Sequence, residues 1–380
     1  MPDDILAPMR RALALAERAV GLSDPNPRVG CVIVGADGSP LGEGHTQAAG
    51  EAHAEVMALR DVASRGHDAR GTTAYITLEP CSHHGRTPPC ADALVAAGIA
   101  RAVVAVGDPN PLVAGRGLER LRAAGVRVDM ADEPAAQASR ELNIGFFSRM
   151  ARGRPWVRLK IAASLDGRTA LADGTSQWIT GEAARRDGHA WRKRAGAVLT
   201  GVGTVLDDDP RLDVRLVETA RQPIRVIVDS RLQTPASARI LQPPGRVLVY
   251  GAVRDDAAGA ALQAAGAEVV WLPGPSGKVD LRALLDDLAA RQMNELHVEA
   301  GHKLNGSLLR ERLVDELVVY LAPKMLGLGR EMATFEVRSL DAALQLAVRD
   351  VSMVDEDLRI VARVRDDAQA SEGHSISWRQ

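Results

Sequence analysis

The sequence has few cysteines, few aromatic residues and almost no charge imbalance. Three cysteines occur among 380 residues, and so small and odd a number favours a reducing compartment with metal or packing roles over a disulfide framework. Aromatic residues make up 3% of the chain and the formal net charge is −2, which leaves little for stacking on bases or tracking a phosphate backbone. We therefore expect small-molecule partners and no nucleic acid.

The sequence also lacks any uncharged run near the ~18 residues that a membrane span requires. Its start, MPDDILAPMRRALALAERAV, is acidic and then amphipathic, unlike a secretory leader. We expect a cytoplasmic protein with no membrane partner. A chain of 380 residues, 46% of them hydrophobic, exceeds what one core usually organises, so two domains are expected.

Strand-like and helix-like segments alternate through both halves of the chain. In the first half the alternation predicts a layered α/β domain with a largely parallel sheet, and a helical stretch from about Glu133 to Met150 ends at ARGRP. The second half shows the strands WVRLKIAASL, AVLTG, IRVIVDS, RVLVYG, AEVVWL, ELHVEA and ELVVYLAP, with a helix from Glu182 to Arg194. We predict domains over residues 1–152 and 153–366, and a flexible polar tail over 367–380.

The first half contains a potential zinc-ligand set, His53, Cys81 and Cys90. Catalytic zinc takes three protein ligands and keeps one open position. Zinc-dependent nucleobase deaminases carry H-x-E followed by P-C and a second cysteine, and their glutamate moves protons without binding the metal. HAE and EPC fit this pattern and make Glu55 the proton carrier. His53 would stand where the helix is not yet regular, so that His53 and Glu55 can converge.

The spacing of the two cysteines departs from the common pattern. The eight residues SHHGRTPP separate them, where a gap of two is usual. This gap favours the alternative in which the HxE pair is a chance surface feature and the cysteines are buried small residues. Against it, each potential ligand follows a strand and precedes a helix, which is where open α/β sheets bind ligands. A purely structural zinc site is a separate alternative, with His83 or His84 as its fourth ligand.

The second half has no cysteine and no evident nucleophile, so any chemistry there needs a cofactor. The segment TGVGTV has Gly201 and Gly203 but no third glycine or later acidic residue, which disfavours a Rossmann domain. The glycine turns in TGVGT and EAGHKLNG can still receive phosphate through free backbone N–H groups. GPSGK at 274–278 lacks the length of a phosphate loop and predicts a hairpin or linker.

Several motifs, in order, resemble the bifunctional deaminase/reductase family of riboflavin biosynthesis. They are PNPRVGCVIV, GEAHAEVMAL, LEPCSHHGRTPPC and DPNPLVAGRG in the first half, and LKIAASLDGRTA, SQWITG, DDDPRLDVR, RQPIRVIVDS and VEAG in the second. The family's zinc site has this wide cysteine gap. The resemblance spans all but the tail and implies an α/β fold: an N-terminal cytidine-deaminase-like three-layer domain and a C-terminal α/β domain like dihydrofolate reductase.

The resemblance implies two consecutive reactions. The first is zinc-dependent hydrolytic deamination of 2,5-diamino-6-ribosylamino-4(3H)-pyrimidinone 5′-phosphate, and the second is NADPH-dependent reduction of the ribosyl group to ribityl. It also implies a homodimer or homotetramer. In the deaminase half, it makes Glu55 catalytic, His53, Cys81 and Cys90 zinc ligands, and the following side chains substrate contacts: Asn26, His45, His83 and Arg86.

In the reductase half, the resemblance makes Arg192 and Arg215 phosphate contacts, a role that suits the planar guanidinium fork. Lys160 and Asp166 would orient the sugar. The remaining substrate-side residues are Ser176, Asp208, Leu212 and Glu299. The NADPH groove would be lined by Ala162, Trp178, Thr180, Gly201, Thr204, Ser230 and Gly301.

Two further hypotheses remain open from the residues. The second half could be a nonreacting substrate-binding or oligomerisation module on a deaminase of single function. A nucleic-acid deaminase is disfavoured, since the charge is near neutral and aromatic residues are few.

Overall fold

The computed structural model describes residues 6–82, 89–242 and 244–365, and these form two compact units. Unit 1 holds the described residues up to Pro155 together with Thr219–Gln222 and Leu285–Glu295, and unit 2 holds the rest. Two segments from the second half of the sequence therefore belong to unit 1, so no single boundary in the sequence separates the two units. The predicted limits at 152 and 153 stay a prediction, and the predicted tail lies outside the described residues.

Unit 1 is built on a five-stranded sheet in the order β2-β1-β3-β4-β5. The strands are β1 Gly30–Val34, β2 Pro40–His45, β3 Thr73–Ile76, β4 Arg101–Val104 and β5 Arg127–Met130. β3, β4 and β5 run parallel, but β1 is antiparallel to both β2 and β3. The expectation of a largely parallel sheet was wrong for this edge. The five residues between β1 and β2 are too few for a parallel crossover, so the chain turns back as a hairpin.

Helices cover both faces of this sheet. They are α1 Ala7–Glu17, α2 Ala54–Ser64, α3 Cys90–Ala96, α4 Arg116–Ala123, α5 Glu133–Leu142 and α6 Ile144–Arg152. Alternate side chains of β1 enter different cores: Cys31 and Ile33 pack with α2 and α3, whereas Val32 and Val34 pack with α1. The result is the predicted three-layer arrangement, with Cys31 a buried core residue as expected from its apolar strand.

The predicted helix over 133–150 is interrupted at Asn143. The Asn143 side chain accepts a hydrogen bond from the backbone N–H of Arg28 (2.7 Å) and donates one to its carbonyl (3.0 Å). These contacts to a distant segment replace regular helical geometry at this residue, which a periodic apolar pattern cannot reveal.

Unit 2 contains a nine-stranded sheet in the order β11-β10-β9-β8-β12-β6-β13-β16-β15 and a two-stranded sheet of β14 and β7. The strands are β6 Trp156–Ser164, β7 Arg168–Leu171, β8 Ala197–Gly201, β9 Ile224–Val228, β10 Val247–Gly251, β11 Ala267–Trp271, β12 Glu295–Val298, β13 Glu316–Ala322, β14 Gly329–Glu331, β15 Leu346–Val354 and β16 Asp357–Val364. The helices are α7 Glu182–Arg194, α8 Val202–Asp208, α9 Asp256–Ala264 and α11 His302–Arg310, with 3-10 turns at Arg239–Leu241 and Leu340–Ala342. A further helix, α10 Leu281–Ala290, begins in unit 2 and continues into the unit 1 segment Leu285–Glu295.

The sequence predictions for unit 2 are mostly confirmed. All seven predicted strands are present, α7 has the predicted bounds, and the GPSGK segment closes a short hairpin through a bridge between Pro273 and Val279. The antiparallel β15 and β16 were missed because charged residues interrupt their apolar alternation. Within the described ranges no helix is long and apolar enough to cross a membrane.

Candidate active sites

The three predicted zinc ligands meet at one point of unit 1. His53 stands just before α2 with extended backbone (φ −80°, ψ 170°), Cys81 follows β3, and Cys90 is the first residue of α3. The His53 Nδ1 lies 3.3 Å from the Cys90 Sγ and 3.7 Å from the Cys81 Sγ. Two ligand atoms on a tetrahedral zinc stand about 3.5 Å apart, given Zn–N and Zn–S bonds of about 2.0 and 2.3 Å. The donor set and its spacing therefore fit zinc.

The two cysteines influence each other strongly. A hydrogen bond from the Cys90 thiol lowers the pKa of Cys81 to about 4, and His53 acts in the same direction. The backbone N–H of Cys90 also donates to the Cys81 Sγ (3.3 Å). The pKa of Cys90 is raised by its contact with Cys81 and by burial. An easily formed thiolate is what a cationic metal requires, because only deprotonated sulfur binds it.

Glu55 is buried beside the ligand set, in the first turn of α2. Burial raises its pKa to about 7, and the charge of Cys81 adds to this effect while His53 opposes it. A carboxyl group that can gain or lose a proton near neutral pH suits general acid–base work. The structure thus brings Glu55 and all three predicted ligands together.

The other predicted contacts of this site have different outcomes. His45 is the last residue of β2. The preceding residue, Gly44, packs closely against α2, since an added Cβ there would stand 2.3 Å from the Ala54 carbonyl oxygen. This packing places His45 beside the start of α2. Asn26 lies in a turn where its N–H donates to the Ser23 carbonyl. His83 and Arg86 lie outside the described residues.

Two acidic residues near this site had no predicted role. Burial raises the pKa of Asp108 to about 7, assisted by the charges of Glu79 and Cys81. Glu79 is itself buried, two residues before Cys81. The motifs LEPC and DPNPLVAGRG contained both residues, but nothing local in the sequence indicates that the two motifs meet.

Unit 2 contains a cavity of about 1810 Å³, which fifty-odd residues surround. It is lined by all but one of the residues predicted for the reductase half: Lys160, Ala162, Ser176, Trp178, Thr180, Arg192, Gly201, Thr204, Asp208, Leu212, Arg215, Ser230, Glu299 and Gly301. The exception is Asp166. Its carboxylate accepts hydrogen bonds from the Ser164 hydroxyl (2.5 Å) and from Leu326 and Gly327 N–H, and these lower its pKa to about 2.

A partly buried charge cluster lies in this cavity, centred on Glu299. Its carboxylate binds the Arg192 guanidinium at two points, and the Lys160 Nζ is 3.7 Å away. Burial favours a raised pKa for Glu299, but Arg192 and Lys160 outweigh it and hold the pKa well below its usual value. Burial lowers the pKa of Lys160. His297 Nε2 approaches the same carboxylate from β12, at 3.4 Å.

His189 connects Arg192 to the second predicted phosphate contact. Its Nδ1 accepts a hydrogen bond from the Arg215 N–H (3.1 Å), and its Nε2 lies 3.5 Å from the Arg192 Nη1. Burial and the two arginines lower the pKa of His189 to about 4. The Arg215 guanidinium pairs with Asp213 (2.6 Å) and is 44% exposed, so some of its donors remain available to a ligand. Sequence reasoning missed His189 because RRDGHAWRKR is typical of a solvated helix face.

The two glycine turns predicted to receive phosphate face each other. Gly301 is the N-cap of α11, and a Cβ there would stand 3.7 Å from the Thr204 hydroxyl, while one on Gly201 would stand 3.2 Å from Leu304. The N-terminus of α11 therefore opens beside the TGVGT turn, where free N–H groups favour a phosphate. The cavity's size and this lining fit a dinucleotide together with a small substrate.

Comparison with known proteins agrees with both sites. The family model for the cytidine and deoxycytidylate deaminase zinc-binding region matches residues 3–106, and the model for the RibD C-terminal domain matches residues 155–360. The riboflavin biosynthesis protein RibD of Escherichia coli (strain K12) is 48% identical over 331 residues, 84% of this chain and 88% of the relative. The protein of that name from Aquifex aeolicus (strain VF5) is 41% identical over 352 residues, 93% of this chain and 96% of the relative.

Solved structures show the same similarity in three dimensions. Acinetobacter baumannii RibD, form 1, has a TM-score of 0.84 at 42% identity, covering 94% of this chain and 98% of that one. The diaminohydroxyphosphoribosylaminopyrimidine deaminase/5-amino-6-(5-phosphoribosylamino)uracil reductase of Thermotoga maritima has a TM-score of 0.82 at 31% identity, with the same coverage.

The fold and sites define a class of protein, a zinc-binding deaminase joined in one chain to a reductase of the NADPH-using type. Within that class, the chain belongs to the RibD family of bifunctional deaminase/reductases of riboflavin biosynthesis. The predicted fold class, enzyme class and cofactors are confirmed, and the substrate is a small molecule.

Proposed function

We propose that this enzyme first deaminates diaminohydroxyphosphoribosylaminopyrimidine and then reduces the resulting 5-amino-6-(5-phosphoribosylamino)uracil with NADPH. The observation that carries the proposal is the convergence of His53, Cys81 and Cys90 on one point beside a buried Glu55 with a pKa of about 7. Support for the substrate comes from the likeness to the Thermotoga maritima enzyme of that name.

In the deaminase unit, His53, Cys81 and Cys90 would hold the zinc. When bound, the ion acts as a Lewis acid that makes water nucleophilic near neutral pH. The Glu55 carboxylate takes a proton from the attacking water and delivers it to the departing amino group. Asn26 and His45, with His83 and Arg86, are proposed to contact the substrate.

In the reductase unit, opening of the ribose ring produces an imine between C1′ and the exocyclic nitrogen. Reduction adds a hydride to C1′ and a proton to that nitrogen, and bound NADPH supplies the hydride. The Lys160 ammonium, buried beside Glu299, can supply the proton, because burial lowers its pKa. Arg215 is proposed to bind the substrate phosphate, and Arg192 to orient Glu299.

The remaining predicted residues keep their proposed places around the cavity. Ser176 donates to Asp208 (2.8 Å), which joins the SQWITG and DDDPRLDVR segments on the substrate side with Leu212. The NADPH groove is proposed to be formed by Ala162, Trp178, Thr180, Gly201, Thr204, Ser230 and Gly301. Asp166 is proposed to keep its loop in place, since its carboxylate accepts hydrogen bonds from the backbone N–H groups of Leu326 and Gly327.

A coupled assay tests the proposal. Purified, zinc-replete protein is given the diaminopyrimidine phosphate, and ammonia release and NADPH absorbance are followed together. We expect ammonia to appear first and NADPH to decline afterwards. Ammonia release with constant NADPH would show that the second half is a nonreacting module, and no ammonia would exclude this substrate.

Homo-oligomer formation and a cytoplasmic location are also proposed. β15 stands at one end of the nine-stranded sheet and exposes four apolar side chains, Leu346, Val348, Val351 and Met353. An exposed apolar edge strand favours pairing with another copy. Light scattering on the wild type and on Val351→Lys checks oligomer formation: a wild-type monomer, or a variant of unchanged mass, would contradict it.

The cytoplasmic location is proposed because the three cysteines are free, as in a reducing compartment.

A further inference from the structure

Glu79 has a buried carboxylate whose hydrogen bonds come from the backbone of one later segment. One carboxylate oxygen accepts from the N–H groups of Asp108 (3.1 Å) and Gly115 (3.0 Å). The other accepts from Gly117 (2.9 Å) and Leu118 (3.4 Å). Its side chain therefore ties the segment 108–118 to the stretch that follows β3 by four hydrogen bonds, each strengthened by the carboxylate charge.

The segment 108–118 is also held by close packing of Gly117 against Pro80. A Cβ at Gly117 would stand 2.0 Å from the Pro80 carbonyl oxygen, so α4 contacts the chain at the residue immediately before Cys81. The Glu79 N–H also donates to the Val106 carbonyl (2.9 Å). These contacts fix the segment 108–118 relative to residues 79–81, which include the zinc ligand Cys81.

The start of this segment lies within electrostatic range of Cys81. Asp108 is close enough to Cys81 for the cysteine's charge to act on its carboxyl group. Asp108 accepts from the Asn110 N–H (2.8 Å), and Asn110 in turn accepts from the Leu112 N–H (3.1 Å), so both side chains stabilise the turn after β4. The turn at the start of the segment is therefore ordered, and Gly117 further along it packs against Pro80, the residue before Cys81.

We propose that Glu79 is a positioning residue for deamination, which fixes the segment 108–118 as one wall of the zinc pocket so that the pyrimidine ring is held against the ligand set. It touches neither metal nor reacting atoms. The negative charge is essential: an amide in its place would direct an NH₂ group at two N–H donors and release part of the wall. This inference rests on the proposed deamination.

Glu79→Gln tests the proposal, with Glu119→Gln as matched control, since Glu119 is an exposed carboxylate on α4. Three quantities are measured on each protein: bound zinc, the deaminase kcat and KM, and reductase activity on the deaminated intermediate. We expect Glu79→Gln to keep its zinc and reductase activity, and to raise the deaminase KM about tenfold or more with a smaller change in kcat. The control should match the wild type.

Two results would overturn the proposal. One is a Glu79→Gln enzyme whose deaminase KM stays within about twofold of the wild type. The other is loss of zinc or of reductase activity, which would make Glu79 a structural residue. Wild-type protein that releases no ammonia would instead refute the proposed deamination itself.

Gly117→Ala provides a second test, because the added Cβ would disturb the packing of α4 against Pro80. If the two residues hold one wall, this variant raises the deaminase KM with zinc retained, and the double variant is less impaired than the product of the single effects. Independent, multiplicative effects would contradict the proposal.

Discussion

Arg192 and Glu299 form a partly buried two-point ion pair in the cavity of unit 2, with 3.0 Å between the Arg192 Nη2 and the Glu299 Oε2. The Arg192 Nη1 donates to the Asp213 carbonyl (3.0 Å). Most donors of this guanidinium are therefore used inside the protein. Arg192 is better suited to orienting Glu299 than to binding a phosphate, and Arg215 is the more available arginine.

Replacing Arg192 by lysine should impair reduction alone. Lysine keeps the positive charge but lacks the planar fork that binds both carboxylate oxygens, so Glu299 loses its orientation. We expect the reductase kcat/KM to fall about 100-fold while deamination is unchanged. Steady-state kinetics of both reactions check this, with Arg186→Lys, an exposed position on α7, as control. A variant that keeps half of the wild-type reductase activity would refute this role.

Glu55→Gln should separate proton transfer from metal binding. The amide preserves the shape of the side chain but cannot accept the proton of the attacking water, so deamination should fall by roughly 10²–10⁴-fold. Zinc content and reductase activity should remain at wild-type values. Metal analysis and ammonia release measure both, and Glu51→Gln, an exposed carboxylate nearby in sequence, serves as control. Full ammonia release by Glu55→Gln would point to a structural zinc site.

Removing the metal should abolish deamination and leave reduction intact. Chelation removes the ion, and Cys90→Ser removes one of its three ligands; all three ligands lie in unit 1, whereas the reductase cavity lies in unit 2. Added zinc should restore the chelated wild type. Cys31→Ala is the control, because this buried cysteine lies in the core and should not affect metal content. Loss of zinc from that control, or its retention by Cys90→Ser, would contradict the assignment.

His189 should contribute a pH dependence to the stability of unit 2. Its folded-state pKa is lowered to about 4 by burial and by Arg192 and Arg215. Between about pH 6.5, the ordinary histidine pKa, and about pH 4, the unfolded chain binds a proton that the folded chain does not. The free energy of unfolding should therefore decrease on acidification in this window, by at most about 1.4 kcal/mol per pH unit.

The variant His189→Asn isolates this contribution. Asparagine can accept the Arg215 N–H bond but does not titrate, so the variant should lose less stability than the wild type as pH falls from 6.5 to 4. Denaturant unfolding of both proteins at several pH values provides the comparison. Parallel pH profiles would show that His189 is not a buried neutral residue.

Recognition of the deaminase ligands needed only local sequence, because His53 and Glu55 share one helix start and the cysteines flank one loop. Asp166 shows the limit of such reasoning: it belongs to a recognisable motif, yet its carboxylate bonds Leu326 and Gly327 instead of lining the cavity. Likewise, the break at Asn143 depends on Arg28, 115 residues away in the chain. Periodicity carries no information about such distant partners.

The sequence by itself determined the two-domain α/β organisation and the zinc donor set, since apolar periodicity and short motifs depend on neighbours along the chain. The residues expected around the reductase cavity came only from the resemblance to a known family. Only the tertiary structure decided that Glu79 holds the segment 108–118, that Arg192 is committed to Glu299, and that His189 is neutral between two arginines. These relationships come from hydrogen bonds and burial between residues far apart in sequence. Their energies depend on distance and solvent exclusion, which exist only once the chain has folded.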